Sequence, residues 1–163
     1  MGIADVVVVG AGPAGTASAA DLAARGFHVV LVDRAAFPRD KPCGDYCNPG
    51  AAELLNEIGA LTSVMAAGAG SIDSMTVVAQ DGSSFVQQFP KGRGLVIRRE
   101  RLDALLLHRA ALAGAETIEK YFVDAVTLNG LVEIRDTHRR RAVRARLLIA
   151  ADGPRSVVAR RLG

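Results

Sequence analysis

An α/β fold built on a parallel sheet with added antiparallel strands follows from three observations. Residues 4–9 form a short apolar run rich in β-branched side chains, the composition of a strand buried on both faces. That run leads directly into Gly10-Ala11-Gly12-Pro13-Ala14-Gly15 and an alanine-rich stretch. A second apolar run, residues 28–33, comes next. Strand, glycine turn, helix and strand within about 30 residues make a βαβ unit.

Each element has a local cause. Residues 16–25 predict a helix, with Gly26 as its stop. Residues 34–48 carry two prolines, several charges and both cysteines without a period, which predicts a long loop. Asn48-Pro49 joins an N-cap residue to proline at the first helical position and opens a helix over about 49–58. Residues 71–79 and 84–89, on either side of Asp81-Gly82-Ser83, predict an antiparallel hairpin. A strand at 94–98 leads into an amphipathic helix over 99–113, stopped by Gly114. Strands are predicted at 116–119, 122–128, 131–136 and 141–150, with Asn129-Gly130 as a two-residue hairpin turn. Asp152-Gly153-Pro154 breaks the last strand, and a helix begins before Gly163.

Composition narrows the function classes. A length of 163 residues fits one domain. With 50% hydrophobic and 23% charged residues, the chain is neither disordered nor collagen-like. Two cysteines, Cys43 and Cys47, are too few for a disulfide scaffold or a four-ligand zinc site. The net charge of +3 is mild. His138, Arg139, Arg140, Arg141, Arg144 and Arg146 fall at a predicted hairpin with no interleaved aromatics and no recognition helix, so no nucleic-acid partner is expected. No apolar run approaches the roughly 18 residues of a membrane span. The start lacks the basic region of a signal peptide, and the expectation is a soluble cytoplasmic protein. His28 and His108 lack partners at metal or triad spacing, so no metal site is expected and no catalytic side chain is nominated.

The glycine turn carries the chemistry. Gly10 permits a sharp exit from the strand, Gly12 lets backbone approach a pyrophosphate, and Gly15 lets the helix pack on the strand. Free N–H groups and the dipole at the helix start attract the phosphates. Asp33 closes the second strand at about the 20-residue distance the motif wants, placed to accept hydrogen bonds from a ribose. A carboxylate there disfavours a 2′-phosphate, a preference that the neighbouring Arg34 could reverse.

The turn, Asp33, the loop Phe37-Pro38-Arg39-Asp40-Lys41-Pro42-Cys43-Gly44-Asp45, the run Arg99-Glu100-Arg101-Leu102-Asp103 and the late Leu148–Ser156 stretch with Asp152-Gly153 occur in one order. In this the chain resembles the geranylgeranyl reductase family of FAD-dependent oxidoreductases, within the larger group that contains para-hydroxybenzoate hydroxylase. The resemblance covers almost the whole chain. The Lys-Pro-Cys-Gly-Asp loop points to the reductase branch, and the other motifs are shared by the wider group.

The resemblance implies a Rossmann-like FAD-binding domain over residues 1–163, the front portion of a longer architecture whose substrate domain is absent. By position, Gly10, Gly12, Pro13, Ala14 and Gly15 would hold the FAD pyrophosphate, and Asp33 with Arg34 would lie at the adenosine ribose. Asp33 stands where that group more often has Glu. Cys43 and Gly44 would lie in the loop near the flavin, Arg99 would contact FAD, and the Val123 backbone would meet the adenine. Asp152 and Gly153 would serve the pyrophosphate region and the nicotinamide donor. Arg99 at a helix start wants an anion nearby, which FAD phosphate, Glu100 or Asp103 could supply.

The activity implied is hydride transfer from NAD(P)H through FAD to an isoprenoid double bond. An FAD-dependent monooxygenase (aromatic hydroxylase or halogenase), a non-catalytic dinucleotide-binding module and a plain NAD dehydrogenase remain as alternatives. A hydrophobic small-molecule substrate, isoprenoid or aromatic, is expected for the intact protein; its membrane contact and oligomeric state stay open. The chain ends one helix beyond Asp152-Gly153, so on its own it is expected to bind FAD weakly or not at all and to turn over nothing.

Overall fold

A computed structural model describes residues 3–163, and the chain divides into two compact units. The first comprises the described residues up to Arg39 together with Asp103–Gly163, and the second is Asp40–Leu102.

The first unit opens with strand β1 (Ala4–Val9), helix α1 (Pro13–Ala24) and strand β2 (Val29–Val32). The helix starts at Pro13, three residues earlier than the alanine run suggests, because proline is suited to the first helical position. Gly26 ends it with φ +88°. Both strands are parallel neighbours, Val6 to Val9 opposite Val29 to Val32.

The second unit holds β3 (Tyr46–Cys47), α2 (Pro49–Glu57), α3 (Leu61–Ala66), β4 (Gly70–Ile72), β5 (Ser74–Val78), β6 (Ser84–Gln88) and β7 (Gly94–Val96). Asn48 caps α2 through Oδ1, which accepts from the Ala51 N–H at 2.8 Å. Strands β3 and β4 both pair antiparallel with β7, and β5 and β6 form a separate hairpin. The stretch read from sequence as one strand over 71–79 is therefore two, β4 and β5, with different partners. Helix α3 was not expected; six residues are too few to display a helical period.

Helix α4 (Arg99–Leu112) starts in the second unit and ends in the first, where β8 (Glu116–Ile118), β9 (Phe122–Val126), β10 (Leu131–Arg135), β11 (Arg140–Ala150) and α5 (Val157–Leu162) complete the chain. The strand order is β8-β2-β1-β11-β10-β9. Strands β8, β2, β1 and the later part of β11 run parallel, whereas the early part of β11 pairs antiparallel with β10, and β10 with β9. Four residues, Thr127 to Gly130, connect β9 to β10, and the loop inside the Thr127–Leu131 pair is three residues, not two. Thr127 and Leu131 close it, and only Gly130 takes positive φ (+80°). Asn129 does not adopt the left-handed conformation that a two-residue Asn-Gly turn requires.

Two apolar layers hold this unit together. On one face of the parallel strands, Val7, Val9, Val30, Val32 and Ile118 pack against Val126, Val132 and Ile134 of the antiparallel strands and Val158 of α5. On the other face, Val6, Val8, Val29 and Leu31 meet Ala19, Ala20 and Ala23 of α1 and Leu107 and Ala110 of α4. Period-two alternation explains why continuous valine runs suit β1 and β2: both faces are covered.

Candidate functional site

The C-terminal ends of β1, β2 and β11 bring together three of the sequence-selected groups in the first unit. Gly10 leaves β1 with φ +100°, and a Cβ there would lie 2.4 Å from the Ala151 carbonyl oxygen and 2.7 Å from Asp152 Cα. A Cβ on Gly15 would stand 1.8 Å from the Gly10 carbonyl oxygen. The first and third glycines thus let the turn, the helix and the end of β11 close on one another.

Gly12 occupies the N-cap of α1 in an extended conformation. No side chain caps this helix, its first turn has no acidic residue, and Pro13 contributes no N–H. Ala14 is exposed at that turn. The start of α1 therefore offers backbone N–H groups and the positive end of the helix dipole without a side-chain partner from within the helix.

Asp33 stands just beyond β2. Its Oδ2 accepts from the Ala11 N–H at 2.6 Å and its Oδ1 from the Ala35 N–H at 2.8 Å. The Asp33 carbonyl accepts from the Tyr121 N–H at 3.1 Å. Arg34 beside it is exposed. Val123 sits two residues beyond Tyr121 in β9, an edge strand, with its side chain against the apolar layer and Ile134 as its ladder partner.

Asp152 and Gly153 follow β11. Asp152 Oδ2 accepts from the Val157 N–H at 2.6 Å and so helps start α5, where Ser156 Oγ also accepts from the Ala159 N–H at 2.9 Å. Asp152 Oδ1 is buried and has no hydrogen-bond partner. Gly153 has φ +86°.

The remaining sequence-selected residues, Cys43, Gly44 and Arg99, belong to the second unit. Asp45, at φ +53°, accepts the Arg99 N–H on Oδ1 at 2.9 Å and the Ile97 N–H on its carbonyl at 2.9 Å. The sequence reading had not chosen Asp45, which takes the main-chain N–H at this helix start. Glu100 instead lies 3.5 Å from Arg98. The exposed Cys43 thiol is held below its ordinary pKa by hydrogen bonding with the Arg99 side chain, and then by the Asp45 backbone N–H. Burial pushes the half-buried Cys47 thiol up, and the neighbouring Cys43 adds to this.

Sequence reasoning also missed a buried ion pair. Asp103 is fully buried, and its Oδ2 lies 3.0 Å from Arg39 Nη2, whose guanidinium is 5.0 Å from the centre of the Phe37 ring. Glu119 Oε2 accepts from the Phe37 N–H at 2.6 Å. Among the described residues no group of three or more His, Cys, Asp and Glu side chains could hold a metal, and no helix is long and apolar enough to cross a membrane.

These features fit a dinucleotide. The glycine cradle leaves room for backbone approach, the start of α1 suits the bridging diphosphate, and the orphaned Asp152 oxygen calls for a donor.

Comparison with known proteins agrees. Residues 3–163 match the FAD binding domain family model. The chain is 30% identical over 180 aligned positions to Conditioned medium factor receptor 1 of Dictyostelium discoideum, covering 99% of this chain and 35% of that protein. It is 32% identical to a digeranylgeranylglycerophospholipid reductase of Methanosphaerula palustris, covering 98% of this chain and 41% of the relative. Over 56 residues, 34% of this chain and 14% of the relative, it is 59% identical to a menaquinone reductase of Mycobacterium tuberculosis. Among solved structures, the flavin-dependent halogenase CmlS superposes with a TM-score of 0.88 at 28% identity, covering all of this chain and 32% of CmlS. The chain thus spans well under half the length of each of these proteins. It belongs to the FAD binding domain family.

Proposed function

We propose that the chain holds FAD through the turn at residues 10–15, Asp33 and Asp152. We further propose that the protein carrying it passes a hydride from NAD(P)H, by way of the flavin, to a carbon–carbon double bond of an isoprenoid. The observation that carries the cofactor assignment is the partnerless, buried Asp152 Oδ1 next to Gly10, at the turn that starts an uncapped helix.

FAD, when bound, supplies the two-electron redox chemistry. The chain's own part is binding and orientation. The N–H groups at the start of α1 take the diphosphate, the remaining lone pairs of Asp33 accept from the adenosine ribose, and Asp152 Oδ1 accepts from a hydroxyl or an ordered water. No side chain is assigned a proton-transfer role. The isoprenoid substrate class rests on the Lys41-Pro42-Cys43-Gly44-Asp45 loop and on the two reductase relatives, whose named substrates carry polyprenyl chains. A second reading, in which reduced flavin meets O₂, is favoured by the likeness to the halogenase.

Titration with FAD, followed by flavin fluorescence, tests the cofactor assignment. Weak saturable binding is expected, and Gly12→Val should abolish it; equal titrations in both proteins refute the site. Anaerobic reduction of the protein carrying this chain by NADH or NADPH, then addition of a geranylgeranyl substrate, tests the reaction. A product gaining two hydrogens supports the reductase reading. Peroxide release or an oxygenated product in air, with no saturated product, supports the second. Flavin binding without nicotinamide oxidation leaves only a binding module.

A further inference from the structure

The Asp33 carboxylate is engaged by main-chain amides of the protein on both oxygens. Its Oδ2 takes the Ala11 N–H at 2.6 Å, across 22 positions of sequence, and Ala11 lies between the first two glycines of the turn. Gly10, immediately before, donates its own N–H to the Val32 carbonyl at 2.8 Å. Val32 at the end of β2 and Asp33 just beyond it therefore hold two successive amides of the glycine turn, one through the main chain and one through a carboxylate. Asp33 is fixed in turn: its N–H donates to the Ile118 carbonyl at 2.9 Å, its carbonyl accepts from Tyr121, and its Oδ1 accepts from Ala35.

We propose that Asp33 is a positioning residue that latches the glycine turn in its binding shape, in addition to any contact with a ribose. A hydrogen bond to an ionised acceptor is about twice as strong as a neutral one. The Asp arm reaches the turn amide directly. Because a single carboxylate faces both the turn and the ribose subsite, losing it weakens diphosphate binding even for a nucleotide without ribose hydroxyls. The proposal rests on the dinucleotide reading for its second arm only.

Two measurements on the full 163-residue chain test it. Native-state hydrogen exchange without ligand compares the Ala11 amide in wild type, Asp33→Asn and Asp33→Ala, with the Gly10 amide as internal reference. Asp33→Ala is expected to speed Ala11 exchange by roughly tenfold or more while Gly10 changes little, and Asp33→Asn, which keeps one neutral acceptor oxygen, to speed it less. Unchanged Ala11 exchange in Asp33→Ala overturns the latch, and so does equal acceleration at Gly10 and throughout β1, which would report general destabilisation. The second arm titrates ADP and 2′,3′-dideoxy-ADP. A latch makes Asp33→Ala weaken both, the dideoxy form by about fivefold or more. Loss for ADP alone marks a ribose contact and nothing else, and overturns the proposal. If wild type binds neither nucleotide, the dinucleotide reading fails, and the exchange result alone decides the latch.

Discussion

Gly15 stands against Gly10 so closely that a β-carbon on the former would overlap the carbonyl oxygen of the latter at 1.8 Å. The neighbour is backbone at the end of a buried strand, which has nowhere to retreat. Gly15→Ala is therefore expected to destabilise the chain by about 3 kcal/mol, at the upper end for overpacking. Gly44→Ala, where an added β-carbon meets nothing within 4 Å, should stay within ~0.5 kcal/mol of wild type. Urea denaturation of the two variants side by side makes the comparison.

Arg39 and Asp103 tie the segment after β2 to helix α4 inside the first unit. Removing the guanidinium takes a cationic partner away from a fully buried carboxylate. Arg39→Met should cost about 3 kcal/mol, the low end for breaking a buried pair. Adding Asp103→Leu should restore part of the loss, and a double-mutant cycle by chemical denaturation measures how much.

Asp152 does two jobs with two oxygens, and substitutions separate them. Asp152→Ala removes the acceptor for the Val157 N–H and should lower stability by about 1 kcal/mol. Asp152→Asn keeps an acceptor there and turns a donor toward the place of Oδ1. Its stability should stay near wild type while flavin affinity falls by ~tenfold. Thermal melts and flavin titrations read the two effects independently.

Cys43 should alkylate at lower pH than an ordinary thiol. The thiolate is the nucleophile, so a depressed pKa moves the midpoint of the rate-against-pH curve down. Arg99→Gln removes the largest cause of that depression and should move the midpoint up. Cys47, pushed the other way by burial, should react later in the same titration. Iodoacetamide labelling across pH with peptide-resolved mass spectrometry follows both thiols.

Much of the first unit was legible because its signals are local. Val6 to Val9, the glycine spacing and Val29 to Val32 each state their structure over a few residues, as Asn48-Pro49 states a helix start in the second unit. What escaped depends on partners distant in sequence. Nothing local says that Ser71 pairs with Leu95 whereas Ser74 pairs with Gln88, so two strands read as one. The Asn129-Gly130 turn gained a residue because Gly130 alone takes the left-handed conformation, and its carbonyl accepts from the Ala145 N–H at 2.8 Å. At the site, the glycines and acids were visible as types, but the Ala11 amide on Asp33, the Asp45 cap on Arg99 and the Arg39–Asp103 pair are tertiary facts. Their signal in sequence is at most a charged residue where an apolar one would pack.

Strand β11 serves both ladders of the first unit, Arg140 to Arg144 with β10 and Ala145 to Ala150 with β1. One unbroken length of backbone is thus a shared beam between two layers. Neither layer can melt while the other keeps its end of the beam, so the amides of β1 and of β10 should open in a single cooperative event with a common free energy. The glycine turn at one end of that beam inherits the rigidity of the whole.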